Sequence, residues 1–302
     1  MPLWIPLTIA AAFLQNARST LQKQLNGDLK TTGATFARFG FGFPFALLYL
    51  FALNGVAGME WPRATPHFLL AVALGGFAQI GGTFFLVSLF SLRNFMVGTA
   101  YSKTEPVQAA LFGLLILGET ISAAGTAAII VGVIGVACIS LAGKTAETGG
   151  WRGALLSRAA GIGVLSGALF GISAVAFRWA SLSLDGGEVM MRAAYSLAFA
   201  TSFQTFAMLA WLAWQDPAEL RAIARSWKPS LAVGLVGVAG SIGWFTAMAL
   251  QKVAYVRALG QIELVFTFAS SVFLFRERIR PMEFVGCVLI LAAILALLAG
   301  TG

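Results

Sequence analysis

The sequence predicts an all-α integral membrane protein with ten transmembrane helices arranged as two inverted five-helix repeats. Three observations lead there. Apolar residues make up 59 % of the 302 positions and charged residues 11 %, against roughly 45–50 % and about 25 % in soluble domains; the mean hydropathy is +0.85. The apolar residues fall into ten segments, each near the ~20 residues that one spanning helix needs. The second half of the chain repeats the pattern of the first. So much apolar surface exceeds what one soluble core of this length buries, which excludes a soluble enzyme, a disordered chain and a nucleic-acid module.

The segments run near 3–25, 32–56, 66–90, 94–117, 121–142, 156–182, 188–214, 229–252, 255–275 and 281–300. The first begins MPLWIPLTIAAAFL. It lacks the basic leading region of a secretory signal and is read as a span. Connections are short and carry the polar residues. One of them predicts extra structure: Asp216 in an N-cap position followed by Pro217 is a helix-start signal, so a short interfacial helix is expected before Trp227. The 34 glycines are scattered through the spans, and neighbourhoods such as Gly234 and Gly240 read as close-packing positions. Cys138 and Cys287 lie among small apolar neighbours with no paired-thiol or metal motif, so they read as packing residues. His67 is the only histidine, which leaves histidine-based metal or acid–base chemistry little to use; no cofactor or metal is expected.

Internal repetition carries the most information. Shifted by 158 positions, SLFSLRNFMVGTAYSKTEPV (88–107) overlies TAMALQKVAYVRALGQIELV (246–265). Glu105 then meets Glu263 and, without a gap, Glu119 meets Glu277. A second correspondence places Lys23 and Arg38 in spans 1 and 2 opposite Arg178 and Arg192 in spans 6 and 7. Charges are costly in hydrocarbon, so their recurrence marks two repeats, 1–146 and 151–302. Five spans per repeat is an odd number. The second copy therefore enters the membrane from the opposite side, and inverted repeats flanking a midplane site characterise secondary transporters.

The run EPVQAALFGLLILGETIS (105–122), its counterpart IELVFTFASSVFLFRERIRP (262–281) and the two-times-five layout resemble the EamA type of the drug/metabolite transporter superfamily. The resemblance covers nearly the whole chain. Leu264 stands where the first copy has Pro106, and Arg276 where it has Gly118. Members of this superfamily move amino acids, sugars, nucleotide derivatives, drugs and other small metabolites, commonly outward, so the resemblance implies a metabolite exporter without naming its substrate.

Glu105 and Glu263 are the acidic residues placed deep in spans. Each can exchange a proton during transport or stand as half of a buried ion pair. Glu119 and Glu277 end their spans and read as capping or paired groups. Span 1 is polar over one stretch, with Gln15, Asn16, Arg18, Ser19, Thr20, Gln22 and Lys23 within nine residues, which implies surroundings of protein and water. Gln79, Tyr101, Arg178, Trp244, Arg257 and Gln261 complete the candidate substrate-binding set with Asn16, Arg18, Lys23, Glu105 and Glu263. Tyr101 and Gln108 share the helical face of Glu105, whereas Glu263 is expected to face Leu259 and Phe266. Seven basic groups (Arg18, Lys23, Arg38, Lys103, Arg178, Arg192, Arg257) against two carboxylates favour an anionic or carboxylate-bearing ligand.

The expected function is secondary transport of a small organic metabolite, such as an amino acid, by alternating access in the inner (plasma) membrane. The expected partners are that substrate and the lipid bilayer, with no nucleic acid, and the chain is a monomer or a homodimer. A drug or quaternary-amine exporter is the alternative. A lipid-modifying membrane enzyme would need clustered acids, histidines or an activated nucleophile, and a channel would need repeated pore-lining motifs. Eleven loop cations lie opposite the termini and two beside them, a balance that predicts external termini; the resemblance implies cytoplasmic ones.

Overall fold

A computed structural model of the protein describes residues 1–90, 102–142, 158–266 and 281–299. The helices are α1 (Trp4–Leu25), α2 (Thr31–Gly40), α3 (Phe43–Gly55), α4 (Pro66–Phe90), α5 (Glu105–Leu117), α6 (Ala123–Ala142), α7 (Arg158–Leu182), α8 (Val189–Gln215), α9 (Pro217–Arg225), α10 (Trp227–Leu250), α11 (Val253–Leu259) and α12 (Pro281–Ala299). Among the described residues, β pairing is confined to one antiparallel bridge between Arg63 and Asp185. The result is the all-helical membrane fold that the sequence predicts.

Three segments expected as single spans are broken. The second divides into α2 and α3 at Phe41–Gly42. Pro44 sits in the first turn of α3, where its missing N–H costs nothing but from which the preceding helix cannot simply continue. Gly234 of α10 packs directly on the break: a Cβ there would lie 2.5 Å from the Phe41 carbonyl carbon and 2.7 Å from the Gly42 nitrogen. The fourth segment turns at Lys103–Thr104 before α5 starts with Glu105 and Pro106. The ninth stops at Leu259, turns through Gly260 and Gln261, and resumes helix from residue 262. Shifted by 158 positions, Lys103 falls on Gln261. Both halves therefore interrupt the same span at the same place.

The packing displays the repeat. The main interfaces pair α4 with α7, α6 with α12, and α1 with α10. Exchanging the halves converts the α1–α10 contact (spans 1 and 8) into α7–α4 (spans 6 and 3). Corresponding spans also meet one another, α5 against α11, α6 against α12, and α2 and α3 against α8, as elements on a pseudo-twofold axis must. Small residues permit this closeness. A Cβ on Gly243 of α10 would lie 2.9 Å from Ala11 Cβ of α1, and one on Gly135 of α6 would lie 2.7 Å from the Gly286 carbonyl oxygen of α12. With no hydrophobic drive between helices in lipid, such approach supplies the dispersion contacts that hold the bundle together.

The expected short helix after Asp216 is α9. Asp216 caps it by accepting from the Glu219 backbone N–H at 3.3 Å, and Pro217 occupies its first turn. Ile223 is buried against the cluster that includes Leu25, Phe36 and Leu212.

Candidate functional site

The two helix breaks meet in the interior. The Gln261 amide donates to the Lys103 backbone carbonyl at 3.4 Å, so each half touches the other at its own interruption. From there two ion pairs cross. Lys103 Nζ lies 2.6 Å from Glu263 Oε2, and Arg257 Nε lies 3.0 Å from Glu105 Oε1. In each pair, the cation belongs to the opposite half from the carboxylate. Backbone left unwound by a break is tolerated at membrane depth only inside protein or beside a water-filled cavity, and matching breaks in two repeats point to a transporter's site.

The two pairs differ in quality. Glu263 accepts from Lys103 and, through the same oxygen, from the Gln15 amide at 3.0 Å. Glu105 Oε1 and Arg257 Nε face each other without forming a hydrogen bond, and both atoms are buried with no other such partner. Arg257 lies instead over the Trp244 ring, 4.6 Å from ring centroid to guanidinium carbon, a cation–π contact. Gly260 makes room for that ring, since a Cβ there would meet Trp244 Cη2 at 2.6 Å. The Trp244 indole N–H is buried and has no acceptor among the described residues.

Two further arginines join this cluster. Arg18 of α1 and Arg38 of α2 are 3 % and 7 % exposed. Arg38 Nη1 donates to the Thr83 hydroxyl at 2.8 Å, and one turn earlier on α4 Gln79 accepts from the Gln204 amide at 2.8 Å. The field of Arg257 reaches both arginines, and that of Glu263 reaches Arg18. Among the described residues, four cations thus stand against two carboxylates.

The remaining candidates separate from this cluster. Asn16 is half-buried, and its backbone carbonyl accepts from Thr20. Lys23 is exposed in the last turn of α1, not buried beside Arg18, because Asn16, Thr20 and Lys23 share the outward face of the helix. Tyr101 and Glu277 lie outside the described residues. Arg178 forms a lock of its own with Glu119: Nε lies 2.6 Å from the carboxylate, while Nη1 donates to the carbonyls of Met248 at 2.6 Å and Gln251 at 2.9 Å. Gly118, at φ +66°, is the left-handed helix stop that presents Glu119 there.

Two expectations about the glutamates are corrected. Glu263 does not face only Leu259 and Phe266; the turn at Gly260–Gln261 rotates it toward Gln15 and Lys103. Nor does Gln108 support Glu105, since its amide donates to the Val164 carbonyl at 3.4 Å. Thr83 and Gln204 carry no signal in the sequence, whereas Gln15, Arg38 and Lys103 stand out there as polar or basic groups within spans but outside the candidate binding set. The readable signal for Lys103 was its position two residues before Glu105 in the repeated motif.

The family model of the EamA-like transporter family matches residues 2–141 and again 157–299. No curated protein matches. A crystal structure of a protein is similar over 97 % of this chain and 94 % of that one, with 15 % identity and a TM-score of 0.68, a likeness of fold. Two matches to one family model, covering both halves, leave a single conclusion: the chain belongs to the EamA-like transporter family.

Proposed function

We propose that this membrane transporter moves a small carboxylate-bearing metabolite, such as an amino acid, outward across the inner (plasma) membrane by alternating access of its two inverted halves. The observation that carries the reading is the crossed pairing of Lys103 with Glu263 and Arg257 with Glu105 at matching helix breaks. A substrate carboxylate that takes Arg257 frees Glu105, and with it one tie between the halves. Binding at the pair is thereby linked to relative motion of the repeats. The excess of four cations over two carboxylates supports an anionic group on the ligand and disfavours a quaternary-amine drug. On the face that holds the termini, Arg178 with Glu119, together with the Lys252 ammonium donating to the Thr120 carbonyl at 2.6 Å, joins the halves and would have to open in the opposite state.

The test is flux in proteoliposomes. Uptake that saturates with substrate and shows counterflow supports a carrier; non-saturating flux without counterflow would overturn it in favour of a channel.

A further inference from the structure

Lys103 and Arg257 each have a carboxylate; Arg18 and Arg38 have none within ion-pair distance among the described residues. Arg38 bonds to a neutral hydroxyl. Arg18 reaches the Ser19 hydroxyl only at 3.4 Å, and its Nε is buried without a hydrogen-bond partner. The two stems converge on Gly237 of α10, where a Cβ would lie 3.4 Å from Arg18 Cδ and 3.6 Å from Arg38 Cγ. Two arginine stems therefore flank one side-chain-free strip of helix, and Arg38 lies inside the field of Arg18. Like charges held together at reduced dielectric repel, and a buried donor left unpaired is unfavourable. Both effects vanish when an anion bridges the groups.

We infer that Arg18 and Arg38, over Gly237, form a binding site for a doubly charged oxyanion group, so that the substrate carries two negative charges as a phosphate monoester or a dicarboxylate. This rests on the transporter reading and sharpens it. Guanidinium forks match paired oxygens of either chemistry, and two charges balance the two arginines that have no carboxylate within ion-pair distance among the described residues. The crossed pairs can then remain intact while the ligand is held, with Glu105 released only when a further carboxylate of the ligand competes for Arg257.

The test uses the purified full-length protein in detergent at about pH 8, where phosphate is largely doubly charged. Its thermal midpoint is followed in inorganic phosphate, malonate, acetate and glycine at matched ionic strength, since a ligand of the folded state raises stability by mass action. Phosphate, malonate or both should raise the midpoint by about 5 °C near saturation, with acetate and glycine inert. A response to phosphate alone assigns a phosphoryl group; a response to malonate alone assigns a dicarboxylate. Equal or larger shifts with acetate or glycine, or no shift with either dianion, overturn the inference.

Two variants guard against a folding artefact. Arg18→Gln removes one of two repelling charges, so without ligand its midpoint should equal or exceed the wild-type value while the dianion shift disappears. A lowered ligand-free midpoint would show that Arg18 is a satisfied structural group and sink the proposal. Gly237→Ala keeps both charges and places its Cβ at ordinary contact distance, so the fold should persist with the dianion shift at least halved; an unchanged shift counts against the site. A protein that shows saturable counterflow yet ignores both dianions keeps the transporter reading and loses this one. A protein stabilised by dianions but lacking counterflow does the reverse.

Discussion

Lys103 and Glu263, 160 residues apart in sequence, meet at 2.6 Å because each stands at the interruption of the corresponding span in its own half. The partner pair, Arg257 with Glu105, is looser. The pseudo-twofold arrangement thus presents one firm and one weak tie between the repeats. That asymmetry decides which carboxylate is available for exchange.

Neutralising the two glutamates should therefore give different results. Glu263→Gln strands the Lys103 ammonium and weakens the Gln15 contact, so stability should fall by about 3–5 kcal/mol, the range for breaking a buried pair. Glu105→Gln leaves Arg257 over the Trp244 ring and loses an interaction that makes no hydrogen bond, so its loss should be smaller, about 1–2 kcal/mol. If Glu105 exchanges a proton, Glu105→Gln keeps counterflow but loses accumulation driven by a pH gradient. Normal gradient-driven accumulation in both variants would exclude proton coupling through either residue.

A double-mutant cycle on the firm pair tests whether the contact itself matters. Lys103→Gln and Glu263→Gln each leave a charge uncompensated, whereas the double variant leaves none. The double variant should be more stable than the sum of the single losses predicts, by about 1–3 kcal/mol. Additive losses would mean that the two side chains do not interact in the folded protein.

Much of this fold was readable because its causes are local and periodic. Composition, segment length and the 158-position shift each reflect what hydrocarbon demands of a helix, and span count alone dictates inversion. The breaks were less legible. Hydropathy reads all three as continuous spans; Pro44 and Pro106 stand just after two of the breaks, while at the third the need for glycine at Gly260 comes from the Trp244 ring beside it, a contact from another helix. The same holds for the site. Periodicity placed Glu105 and Arg257 in the interior, yet the orientation of Glu263 followed from the turn before it and not from an unbroken helical wheel. Arg178 is opposite in kind: its charge was visible, while its use on the carbonyls of α10 required the tertiary structure.

Two glycines on one helix separate close packing from spare space. A Cβ on Gly234 would meet main chain at 2.5–2.7 Å, which cannot yield, whereas one on Gly237 would meet flexible arginine stems at 3.4–3.8 Å. Gly234→Ala should destabilise by about 1–3 kcal/mol or more through overpacking. Gly237→Ala should be neutral to stabilising, by up to about 1 kcal/mol, because alanine is the better helix former. Comparison of the two thermal midpoints checks the prediction, and equal losses would contradict it.

The last prediction concerns pH and salt at the opposite face, where α9 is tied back to α2. Lys30 Nζ lies 2.6 Å from Asp216 Oδ2, and the Lys30 backbone N–H donates to Glu219 at 2.8 Å. The hydrogen bond with Asp216 raises the Lys30 ammonium above its ordinary value, and the bond from Lys30 lowers the Asp216 carboxyl below its own. A raised cation contributes stability that is complete below its unfolded pKa and is lost as pH rises through the folded one. A lowered carboxyl contributes stability that is complete above its unfolded pKa and is lost as pH falls through the folded one. The pair should consequently be constant between about pH 4 and about pH 10 and fade beyond either limit. Both groups are solvated, so salt screens the attraction. Glu219 is held differently: it is 4 % exposed and packed so closely over Gly33 that a Cβ there would collide with its carboxylate. Asp216→Asn should therefore leave the midpoint nearly unchanged at neutral pH and high salt, whereas Gly33→Ala should lower it at every pH and ionic strength. Hydrogen exchange across Pro217–Arg225 reads the difference locally, with protection lost in Gly33→Ala and retained in Asp216→Asn. The reverse pattern would mean that the exposed ion pair, and not the buried carboxylate beneath it, anchors this helix.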